Sequence, residues 1–113
     1  MVPFPGWEAF DDEEVSDIDA PTRERTAAAA RNVPAHIPTD EIALNDERRF
    51  DVPVTILSGG MDDATFRSAI TEWGRYAQEF SAIRDAQVVR LGTGHWPQFS
   101  APQRLADEII AAI

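Results

Sequence analysis

The sequence predicts an α/β fold: part of a doubly wound parallel sheet, preceded by an irregular, partly helical N-terminal arm. Three observations carry this. The run "VPVTILS", residues 52–58, is β-branched and apolar on both faces, as a buried parallel strand reads. Phe66, Ile70, Trp73, Ala77 and Phe80 then recur at spacings of four, three, four and three, one apolar stripe of an amphipathic helix over residues 64–81. A second strand, "AQVVRL" (86–91), and a terminal helix, "SAPQRLADEIIAAI", follow.

The elements are justified in order. "MVPFPGWEAFDDEEVSDIDAPT" is acidic and interrupted by proline, so an irregular arm with one short helix near residues 7–14 is expected. "PTRERTAAAARN" has Pro21 early, Thr22 as a candidate N-cap and an alanine run of high helix propensity, closed by Asn32 and Pro34. "VPAHIPTDEIALNDERRF" reads as a connection, with an extended piece at 41–44. "GGMDD" ends the first strand. Gly74 inside the long helix costs about 1 kcal/mol relative to Ala. In the last helix Ser100 and Gln103 form a capping box, Pro102 suits the first turn, and Leu105, Ile109 and Ile113 share a face. Strand, helix, strand, helix makes a right-handed βαβ crossover plus one helix. Two parallel strands leave an unpaired apolar edge, so residues 50–113 read as the end of a larger sheet, and residues 1–49 as a connecting region.

Composition narrows the function classes. The chain has 113 residues, 43% of them hydrophobic, which suits one globular domain. No apolar run approaches the ~20 residues of a membrane span, and the N-terminus lacks the pattern of a signal peptide. Cytoplasmic residence is the default reading. There is no Cys, hence no disulfide or thiolate metal site. The net charge is −10, and all ten basic residues are Arg, which argues against nucleic acid. Residues 1–50 carry net −7 and residues 51–113 net −3. The acidic front reads as a solvated surface, with a docking tail for a basic partner as the alternative.

Chemistry in doubly wound sheets sits at the carboxyl ends of the strands. Two loops qualify: "SGGMDD" after the first strand and "GTGHWP" after the second. One offers Asp62 and Asp63, the other His95. A carboxylate accepting the imidazole Nδ1–H would fix the tautomer and stabilise the imidazolium, the orienting half of a Ser–His–acid triad. Either Asp also suits the start of the helix that follows, and one of them is expected to cap it. His36 reads as an exposed loop residue. His95 with the two Asp residues makes a poor metal site, and no cofactor fingerprint is present.

At "DVPVTILSGGMDD" and "VVRLGTGHWPQFSAPQRLADEIIAAI" the chain resembles the C-terminal portion of the α/β-hydrolase superfamily, esterase- and lipase-like members in particular. The resemblance covers residues 50–113, and more weakly the end of a cap region in residues 1–49. It implies His95 as catalytic base, Asp62 as triad acid with Asp63 as the alternative, and Trp96 and Pro97 beside the mouth of the active site. The family's Ser, on G-x-S-x-G, precedes the acid in the chain. No G-x-S-x-G occurs here; "ILSGG" comes nearest, but Ser58 lies only four residues before Asp62, too close to serve a triad.

The expectation is therefore a truncated serine hydrolase segment for carboxylic esters or related acyl bonds, lacking its nucleophile and inactive alone. Its partners would be a small-molecule ester once completed, and a partner chain or a second copy. The alternative is a non-catalytic binding or oligomerisation module that uses the exposed sheet edge.

Overall fold

In the computed structural model, which describes residues 1–113, the arm is more ordered than its composition suggests. A single 3-10 turn, Trp7–Ala9, precedes helix α1 (Asp12–Val15). At the start of α1 the Glu14 carboxylate accepts the Asp11 N–H at 3.1 Å. Helix α2 (Ala20–Ala29) is capped by Asp19, whose side chain accepts the Thr22 N–H at 2.8 Å. Thr22 is thus inside the helix and not its cap, because Pro21 takes a place in the first turn, where no N–H is needed. Arg23 turns back from α2 and donates to the carbonyls of Val15, the last residue of α1, and of Ile18 just beyond it.

Residues 31–48 are exposed throughout. They contain one 3-10 turn, Ile37–Thr39, and lead into another, Glu47–Asp51. The extended piece expected at 41–44 pairs with nothing. A lone antiparallel bridge, Val2 to Val33, closes the arm on itself.

Strand β1 (Val54–Ser58) runs parallel to β2 (Ala86–Arg90), Val54 opposite Ala86 and Ser58 opposite Arg90. Pro53 has no N–H to donate, so the ladder starts one residue later, with the Val54 N–H on the Asp85 carbonyl at 2.9 Å. It ends with the Leu91 N–H on the Ser58 carbonyl at 2.7 Å.

The helix expected over 64–81 is two: α3 (Asp63–Ile70) and α4 (Arg75–Ala82). Gly74, at φ 56 and ψ −121, takes a backbone conformation open to glycine, and the axis breaks there. The apolar stripe survives the break. Phe66 packs edge-on against Trp73 at 5.9 Å and Phe80 at 5.3 Å. The terminal helix is also two pieces, α5 (Pro97–Ser100) and α6 (Pro102–Ala112). The Ser100–Gln103 capping box does not form: Ala101 is the N-cap, and the Gln103 amide donates to Asp107. Pro102 at the first turn and its preceding Ala101 set the boundary.

The fold is thus broadly α/β, helices around a two-stranded parallel sheet. No helix is long and apolar enough to cross a membrane. Only six residues are buried: Trp7, Val15, Ile18, Ile70, Phe80 and Leu91. The accessible surface is 8460 Å², whereas a folded monomer of this mass exposes about 6,200 Å². The radius of gyration, 16.4 Å, likewise exceeds the roughly 13 Å of a compact chain this long. Large apolar side chains remain uncovered, among them Trp73, Tyr76, Ile110 and Ile113.

Candidate functional site

The loops after β1 and β2 meet, as adjacent parallel strands require. The N–H groups of Gly92 and Thr93 both donate to the Gly59 carbonyl, at 2.8 and 3.0 Å. A Cβ on Gly59 would stand 2.7 Å from the Gly94 carbonyl oxygen and 2.8 Å from that of Thr93. Only glycine lets the two backbones come this close. Between them opens a cleft of about 780 Å³ that Ser58, Met61, Thr93 and His95 line together.

His95 therefore sits at the carboxyl end of β2, facing the cleft, as its position in the sequence implies. Its ring is exposed and stands edge-on to Trp96, 4.6 Å between centroids. The carboxylates expected beside it are engaged elsewhere. Asp62 caps α3, accepting the Thr65 N–H at 2.8 Å. That N–H, the Thr65 hydroxyl and the charge of Arg90 hold its carboxyl below the ordinary value. Asp63 pairs with Arg67 at 2.8 Å, one helical turn on. Neither carboxylate hydrogen-bonds the imidazole. The reason is local: the cap and the ion pair form within a turn of the chain, while a contact with His95 must be made across two loops.

What holds the histidine loop comes from the arm. The His95 N–H donates to the Glu14 carbonyl at 2.9 Å, and the Gly94 N–H to Asp17 Oδ2 at 2.7 Å. Trp96 packs edge-on to Trp7 at 5.2 Å and to Phe10 at 4.6 Å, on the cluster built by Trp7, Val15 and Ile18. Glu13 and Glu14 also line the cleft. No local signal in the sequence marks these residues, because each acts on a loop some eighty positions away.

Burial works to raise the Asp17 carboxyl, but the Gly94 N–H, the Ser100 hydroxyl and the charge of Arg23 outweigh it and leave it below 3.8. A carboxyl lowered on folding stabilises the fold above its unfolded value and loses that contribution as pH falls through the folded one. Asp17→Asn should therefore flatten the acid limb of stability below pH 3.8 and leave its shape above that range unchanged. Urea melts across acid pH read this; an unaltered acid limb would mean the carboxylate does not hold the loop.

His36 pairs with Asp40 at 2.7 Å, exposed in the connection and remote in sequence from both loops. No group of three or more His, Asp or Glu side chains is gathered to hold a metal ion. Comparison with known families, with curated proteins and with solved structures finds no match to this chain. The functional reading rests on residues and geometry alone. A second, apolar cleft of about 370 Å³, walled by Phe4, Trp7, Trp96 and Phe99, adjoins the first at Gln98.

Proposed function

We propose that the chain is the acid- and histidine-bearing part of a serine α/β-hydrolase, with a partial doubly wound sheet, acting on carboxylic esters or related acyl bonds. One observation carries the reading: an imidazole at the carboxyl end of one strand opens on the same cleft as the loop ending the neighbouring strand. In the reaction His95 takes the proton of an attacking serine and later activates water. Asp62, or Asp63 in its place, swings from its helix-capping or ion-paired position to accept the Nδ1–H once substrate and nucleophile are present. The serine and its oxyanion donors come from a segment outside these 113 residues.

The chain alone should then turn over a p-nitrophenyl ester no faster than buffer. Turnover that disappears in His95→Ala would show that the chain carries its own nucleophile. Turnover that persists in His95→Ala would remove the imidazole from the chemistry. Adding the nucleophile-bearing segment should give turnover that His95→Ala abolishes.

The second reading, a binding or assembly module, is favoured by the uncovered surface and by one open strand edge.

A further inference from the structure

The two edges of the sheet are finished differently. In the parallel ladder every other residue of a strand turns its N–H and C=O to the neighbour and the rest turn away. The bonds made by Val54 and Ser58 put Val54, Ile56 and Ser58 toward β2. Thr55 and Leu57 therefore direct their backbone groups outward. On β2 the outward residues are Ala86, Val88 and Arg90. Two of their carbonyls are taken: Arg67 Nη2 donates to Ala86 at 2.7 Å, and Arg104 Nη2 to Arg90 at 3.1 Å. Arginine side chains from α3 and α6 thus close both ends of the β2 edge, a common way to blunt a strand against further pairing. The β1 edge has no such cover. Neither Thr55 nor Leu57 makes a hydrogen bond outside the ladder, and residues 52–61 include no charged side chain.

We propose that the β1 edge is a dimerisation seam, and that a second copy of this chain occupies it. A two-fold axis through Ile56 would set the two β1 strands antiparallel. Thr55 of each copy would then exchange both backbone bonds with Leu57 of the other, giving a continuous sheet of four strands. Pro53, with no N–H, ends the new ladder. The chain as a whole has area to spare for a second copy. The chain carries about 2,300 Å² more surface than a monomer of its mass, against the roughly 800 Å² that each partner buries in a stable interface. The charge of −10 is no bar, because the seam itself is uncharged, and charges beyond about 8 Å are screened at physiological salt. This inference rests on the assembly reading and not on the hydrolase one, whose missing strands would pair at this same edge.

The test is mass by light scattering across a dilution series of the full chain. A species of twice the 12.5 kDa chain mass, tightening as salt is added, is expected. Thr55→Pro should return it to the single-chain mass with its helical circular dichroism retained, because the Thr55 N–H makes no bond within the chain. Val88→Pro is the matched control: it removes an outward N–H from the β2 edge and should leave the dimer intact. If either proline variant loses its fold, Thr55→Lys and Val88→Lys replace the pair, and the first alone should dissociate. A wild-type chain that stays single at every concentration would overturn the proposal. So would open-ended growth, an assembly weakened by salt, or dissociation by the Val88 variants and not by those at Thr55.

Discussion

Trp7→Ala is expected to remove about 3–5 kcal/mol of stability, the usual loss when a large core aromatic is truncated. Trp7 is the hub of the best-packed part of the chain. Phe4 and Trp96 meet it edge-on at 5.2 Å, Phe10 lies at 6.1 Å and Phe99 at 6.1 Å. Its indole N–H also donates to the Arg23 carbonyl at 2.9 Å, fixing α2 against the turn before α1. Small domains hold about 5–15 kcal/mol in all, and this one buries only six residues. The loss should therefore be close to unfolding. Urea denaturation should show a large fall in midpoint, and near-ultraviolet circular dichroism a collapse of the aromatic signal. Trp7→Phe keeps a ring and drops the N–H, and should fall between. A midpoint for Trp7→Ala close to wild type would mean that the arm does not pack on the histidine loop.

Gly94→Ala should rank second. A Cβ there would stand 2.6 Å from Asp17 Oδ1 and closer still to the Glu14 carbonyl oxygen. One obstacle is backbone and the other is the carboxylate that receives the Gly94 N–H. Neither can yield without breaking the pair of bonds that fasten the loop to the arm. Overpacking of this kind costs about 1–3 kcal/mol. Gly60 supplies the comparison, since a Cβ there meets nothing within 4 Å, and Gly60→Ala should be close to neutral. Amide resonances of Gly94 and His95 should move in the first variant and stay in place in the second. Equal effects from the two substitutions would show that the arm and the histidine loop are not in contact.

The parts of the fold legible in the sequence are those that short-range physics decides. The β-branched run ending at Ser58 is a strand, and its apolar neighbour from Ala86 pairs with it in parallel. The stripe from Phe66 to Phe80 packs as one face, although Gly74 divides the helix beneath it. A propensity cost is visible at Gly74 in the sequence; a break is not, because it depends on how the flanking turns are held. The site was legible only as far as His95 and its position at a strand end. Asp62 shows the limit. The same carboxylate suits a triad and a helix cap, and in the structure it caps. Asp17, Glu14 and Trp7 lay out of reach for another reason: their partners are far along the chain, and one sequence contains no record of such pairings.

The Gly94–Asp17 hydrogen bond spans 77 positions, and that span governs the order of folding. Helical turns close in about a microsecond, whereas distant contacts wait on a search by the whole chain. The thermodynamic toll of the wait is small, since each doubling of a loop adds only about 0.6 kcal/mol of closure entropy. The delay is kinetic. During synthesis the arm emerges ahead of the histidine loop and lacks that surface until some 77 further positions have been added. The histidine loop is in turn among the last pieces to acquire a shape.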